Sequence, residues 1–203
     1  VRNCVVRGCQ ATRGGALYVE PGGLVSGTVM VQNTAAQGGA LYTAQAAGAT
    51  TETPVHSHLI SLTVTDNDAT GTGGGIYMED YSAMVTNSIF WNNTASSDKN
   101  VSGLVTETMK DELYGKVIDD LFPGQDMRFY PFNNCFVETY ELPGNFINSS
   151  LEGEAEEGIY FVSAVGGGIG RSLQPYSPMV KHGSDIKMYN YLVEHAGLAD
   201  CDL

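Results

Sequence analysis

Gly14-Gly15-Ala16-Leu17-Tyr18, Gly38-Gly39-Ala40-Leu41-Tyr42 and Gly73-Gly74-Gly75-Ile76-Tyr77 are three copies of one phrase. The first two begin 24 residues apart and the third follows 35 later. A stretch rich in Thr, Ala, Gly and His, Ala44 to His58, reads as an insertion, and without it the period returns to the low twenties. Self-similarity at such a period marks a protein built from stacked repeats.

The text upstream repeats too. Val6-Arg7-Gly8-Cys9, Met30-Val31-Gln32-Asn33, Val64-Thr65-Asp66-Asn67 and Phe90-Trp91-Asn92-Asn93 each set an apolar residue three places before a small or polar one. A fourth unit therefore starts near Thr86, without a Gly pair after it. Each unit reads as a β-rich run, a polar corner at Asn, a short turn, then Gly-Gly and a second strand. A coil of roughly 22 residues with such short strands buries no apolar face alone, so it must stack on its own copies. Stacked coils pair as parallel strands, rising about 4.8 Å each. Gly at the same turn in successive coils supplies φ > 0. Asn at the corner is expected to do likewise, its amide bonding the Asn above and below. The expectation is an all-β parallel β-helix in which Asn33, Asn67 and Asn93 occupy stacked corners.

Gly-Gly-Ala-Leu/Ile with Phe-x-x-Asn, complete only at Phe90-Trp91-Asn92-Asn93, resembles the repeats of right-handed parallel β-helix proteins. Among these are chlamydial polymorphic outer-membrane proteins and many Bacteroidetes surface proteins. Tyr176-Ser177-Pro178-Met179-Val180-Lys181-His182-Gly183 is similar to the closing motif of the latter, and Gly197-Leu198-Ala199-Asp200 to the segment after it. The resemblance covers most of the chain. It implies a right-handed β-helix from a bacterial cell-surface, outer-membrane-associated or secreted protein, and specifies fold better than function.

With 25 Gly among 203 residues and only 16% charged residues, composition suits many strands separated by tight turns. No apolar run suggests a membrane span. The chain begins inside a repeat without Met, so a fragment or processed piece is expected. Net charge is −13, with acidic residues concentrated after Asp98, as at Glu152 to Glu157. That disfavours nucleic acid, anionic membranes and acidic polysaccharides, because phosphate and carboxylate partners need basic patches. Cys4, Cys9, Cys135 and Cys201 match neither a disulfide scaffold nor a metal-ligand spacing. Buried fillers are expected, with Cys9 at a corner in the place of Asn, and a Cys4 to Cys9 bridge is the weaker alternative.

Beyond Ser97 the repeat fades. The organisation expected is regular coils over 1–98, an insertion over 99–126, and C-terminal coils with a cap over 127–203. Apolar spacings of three and four predict a helical excursion from Thr106 to Leu121. Met127 to Glu138 reads as further strand, Glu141 to Asn145 as a turn, Glu152 to Gly158 as an acidic loop, and Ile159 to Ala164 as strand. Gly166-Gly167-Gly168 is a turn rather than a phosphate loop, since no Lys-Ser/Thr follows. Met188 to His195 reads as a small terminal helix.

Catalysis finds little footing. A polyuronate lyase needs a basic stripe across coils, but the repeats carry only Arg2, Arg7 and Arg13, all on the first, before Lys99. A glycoside hydrolase needs two carboxylates at a set separation; Asp66 with Asp68 and Glu79 with Asp80 are the candidates, but neighbouring coils offer no matching acids, the equivalents of Asp66 being Gln32 and Asn92. Asp66 and Asp68 are candidates for a weak calcium site. His56 and His58 in the insertion could share a metal or touch a ligand, while His182 and His195 stand alone. Tyr18, Tyr42 and Tyr77 should stack in a ladder: inward or half-buried it is core, which is the preferred reading, and outward it is a platform for sugar rings. The functional expectation is a monomeric, non-enzymatic, adhesin-like domain without a required cofactor, binding a glycan or a host surface protein or serving as a stalk. A carbohydrate-active enzyme is the alternative.

Overall fold

The computed structural model describes residues 1–49, 56–80, 82–103, 132–133, 135–137 and 147–148. They form β1 (Val5–Arg7) and β2 (Leu17–Val19), then β3 (Leu24–Ser26), β4 (Val29–Val31), β5 (Thr34–Gln37) and β6 (Leu41–Thr43). The next round is β7 (Ser57–Ile60), β8 (Thr63–Thr65), β9 (Asp68–Thr72) and β10 (Ile76–Met78), followed by β11 (Ala83–Thr86), β12 (Ile89–Trp91), β13 (Thr94–Ser97) and β14 (Val101–Ser102). β15 (Phe132–Asn133), β16 (Phe136–Val137) and β17 (Ile147–Asn148) come last. The described residues are all-β. The expected helices, the segments 141–145 and 152–168, and the closing motifs lie outside them.

Every strand pair is parallel, and four sheets collect the strands in the same rotation. The first holds β3-β7-β11-β15-β17, the second β1-β4-β8-β12-β16, the third β5-β9-β13 and the fourth β2-β6-β10-β14. The pattern is consistent with a parallel β-helix, with four short sheets per round where the sequence suggested two strands. In the second sheet Val6, Met30, Val64 and Phe90 stand in one register column, the alignment that the repeated tetrads predict. Adjacent partners there are 24, 34 and 26 residues apart. The long step marks the insertion, which is shorter than expected because Ser57 and His58 already belong to β7.

Alternation of side chains sends one set inward. Val25, Leu59 and Val85 from the first sheet meet Met30, Val64 and Phe90 from the second and Leu41, Ile76 and Met78 from the fourth. The third sheet contributes only Ala35 and Ala69, both buried. Size varies in compensation: Gly75 occupies the register place of Ala40, and a Cβ on it would sit 3.0 Å from the Phe90 ring and 2.5 Å from the Asn100 carbonyl oxygen. The larger Phe90 thus takes the room that Gly75 leaves.

The corners hold a correction. The left-handed backbone angle falls not on the ladder asparagines but on the residue before each: Gln32, Asp66 and Asn92 have φ of 57°, 56° and 52°, and Gly8, before Cys9 at the equivalent corner, has 67°. Asn33, Asn67 and Asn93 follow, buried. Division of labour explains this. The residue in αL turns the chain and points to solvent, and the next points inward, where its amide can reach neighbouring rounds. The Gly pairs split similarly. Gly14, Gly38 and Gly73 carry positive φ; Gly15, Gly39 and Gly74 do not, yet a Cβ on any of them would collide with backbone of the adjoining round. In the fourth round Asp98, Lys99 and Asn100 fill the places of the missing glycines, with φ +50° at Asp98.

Candidate functional site

Tyr18, Tyr42 and Tyr77 are in register across β2, β6 and β10. Their neighbours Leu17, Leu41 and Ile76 face the core, so the phenols lie on the outer face of the fourth sheet. The half-buried part of the preferred reading holds, with Tyr42 buried and Tyr77 half-buried, whereas the rings do not point inward, because the Gly-Gly turn fixes which residue of Leu-Tyr points in. The rings stack at centroid distances of 5.2 and 5.1 Å, with planes 8° and 9° apart. Although outward, Tyr42 is only 2% exposed, whereas Tyr18 is 46% exposed.

What buries Tyr42 is a cluster that sequence reading missed. Glu79 Oε1 accepts the Tyr42 hydroxyl, and Oε2 accepts the Gln45 backbone N–H at 3.0 Å. The Arg13 guanidinium carbon lies 5.1 Å from the Tyr42 centroid. Burial raises the Tyr42 pKa, and the bond to Glu79 and its charge add to the shift while Arg13 opposes it. For Glu79 burial pushes upward, but hydrogen bonds from Tyr42 and Gln45 and the charge of Arg13 together hold the carboxyl below its ordinary range. The cluster therefore carries an ionised carboxylate against a neutral phenol, and it fastens the start of the insertion to the ladder. The signal was legible in part: Glu79 stands two residues past Tyr77, hence on the same face.

The structure separates the remaining candidates. His58 lies within β7, paired with Leu24 and Met84, and burial lowers its pKa; His56 precedes the strand. Asp66 Oδ1 accepts from Asn92 Nδ2 at 2.6 Å, and Asp68 Oδ1 from Thr94 Oγ1 at 2.5 Å. These bonds link rounds at the corner. Among the described residues no group of three or more His, Cys, Asp or Glu is placed to hold a metal. Cys9 takes the corner, its N–H donating to Asn33 Oδ1 at 3.0 Å, but Cys4 and Cys9 are exposed and free rather than buried. β1 runs extended between them, which keeps them from bridging. Cys135 is buried as expected. Among the described residues no helix is long and apolar enough to cross a membrane.

No family model matches the chain, and no curated protein or solved structure is similar to it at a significant level.

Proposed function

We propose that this chain forms a right-handed parallel β-helix of a secreted or cell-surface protein. In this reading it is a non-enzymatic, adhesin-like module that binds a glycan or a host surface protein through the loop between β6 and β7 and the outer face beside it. The observation that carries the reading is the 34-residue step from β4 to β8 between steps of 24 and 26 in a strictly registered column, a longer step of 47 residues following from β12 to β16. Function on repeat scaffolds concentrates in loops that leave a regular frame. Glu79 supports this, since it ties Gln45, at the root of that loop, to the tyrosine ladder.

The test replaces residues 46–55 with a short Gly-Ser turn, leaving Gln45 and β7 in place, and compares both proteins on a glycan array and on host-matrix proteins. Lost binding with an unchanged melting temperature supports the reading. Equal binding by a folded variant overturns the role of the loop.

A further inference from the structure

The outer face of the first sheet is largely apolar, and it is covered. Because Leu59 and Val85 face the core, their neighbours along the strands point the other way, which puts Ile60, Met84 and Thr86 outside. Yet these three are only 3%, 4% and 4% exposed, whereas Thr70, Thr94 and Ser96 on the third sheet stand open to solvent. Every described strand belongs to one of the four sheets around the core, so none of them crosses this face from outside. Another part of the chain must supply the cover.

Chain length points to which part. The path from the fourth sheet back to the first takes only residues 20–23 between β2 and β3 and 79–82 between β10 and β11, but residues 103–131 between β14 and β15. That last excursion returns at β15, whose Phe132 and Asn133 pair with Val85 and Thr86, so it re-enters the fold directly beside Met84. Its sequence sets Val105, Met109, Leu113, Val117 and Leu121 at every fourth place, with Lys110, Asp111, Glu112, Lys116, Asp119 and Asp120 between them. On the helical excursion that this spacing predicts, such residues make an apolar stripe that needs an apolar surface to lie on. Residues 46–55, the other long excursion leading to this sheet, carry one branched apolar side chain, Val55.

We infer that the outer face of the first sheet is an internal docking surface, and that its occupant is the chain's own segment 104–121, its apolar stripe laid over Ile60 and Met84. Docking takes two apolar surfaces out of water together, one from the sheet and one from the segment, while the interleaved charges stay at the surface. A functional consequence follows. The first sheet is closed to outside partners, which leaves the tyrosine-ladder face and the loop between β6 and β7 as the ground on which a ligand can be met.

The experiment treats the whole chain with hydrogen peroxide and follows each methionine by peptide mass spectrometry, with Met30, 0% exposed in the core, as the mark of an intact fold. In the wild type Met84 should oxidise about as slowly as Met30. In the double variant Leu113→Ser, Val117→Ser, Met84 is expected to oxidise about tenfold faster or more while Met30 stays protected. Leu113→Ser alone gives the same reading if the double variant exposes Met30 as well. Three results overturn the inference. Met84 that stays protected in a folded variant shows that this segment is not the cover; Met84 opened instead by the 46–55 replacement assigns the cover to the insertion; and protection in the wild type that fades on dilution assigns the face to a second copy of the chain.

Discussion

Asn33 donates through Nδ2 to Asn67 Oδ1 at 2.9 Å, joining positions 34 residues apart. Asn67 repeats the bond to Asn93 Oδ1 at 2.9 Å, and Asn93 ends the row on Asn100 Oδ1 at 2.8 Å. Each Oδ1 also accepts a backbone N–H from the preceding round: Cys9 to Asn33, Asn33 to Asn67, and Asn67 to Asn93, all 3.0 Å. The second Nδ2 hydrogen of each reaches the carbonyl of Val6, Met30 or Val64. A buried amide has four hydrogen-bonding positions; Asn67 and Asn93 use all four, and Asn33, with Cys9 rather than Asn on the round before it, uses three.

Asn67→Leu is therefore expected to destabilise the protein by about 2 to 4 kcal/mol, because it removes one amide and strands partners on both adjoining rounds. Asn93→Leu, nearer the end of the row, should cost about 1 to 3 kcal/mol. Thr70→Ala, at an exposed position on β9, serves as the control and should change little. Denaturant unfolding of the three variants gives the comparison.

Thr65 Oγ1 is buried and has no hydrogen-bond partner among the described residues. Val31 occupies the same register place one round earlier. Replacing a buried, unsatisfied hydroxyl by a methyl of similar size removes a desolvation cost. Thr65→Val should accordingly stabilise by about 1 kcal/mol, read as a raised melting temperature; a lowered one would show that the hydroxyl has a use.

Acid should weaken the protein in two stages. His58 has a folded pKa below its ordinary 6.5, so the unfolded chain takes up that proton first, and stability declines as pH falls below 6.5 towards the folded value. Glu79 has a folded pKa below its ordinary 4.5, so its contribution is present above 4.5 and is lost as pH falls through the folded value. Melting temperatures of wild type, His58→Gln and Glu79→Gln between about pH 8 and about pH 3 separate the stages. The first variant should flatten the upper slope and the second the lower.

The sequence by itself determined the repeat, and with it the alignment of Val6, Met30, Val64 and Phe90 and the stacking of Asn33, Asn67 and Asn93. It could do so because parallel stacking repeats one local environment every round, so a residue suited to a corner recurs at that corner. Of the strand expected over Met127 to Glu138, the described residues show two short pieces, β15 and β16, with Cys135 outside both. Only the tertiary structure decided which residue at the corner takes φ > 0, which way the tyrosines point, and that His58 lies in a strand. Those outcomes depend on the pleat: a shift of one residue exchanges inside for outside without altering the period. The cluster of Arg13, Tyr42 and Glu79 draws on three different rounds, and of its members only Tyr42 stands at a repeated position, so the period alone did not announce it. Its members meet because stacking places three successive rounds side by side, a proximity that exists only once the chain has folded.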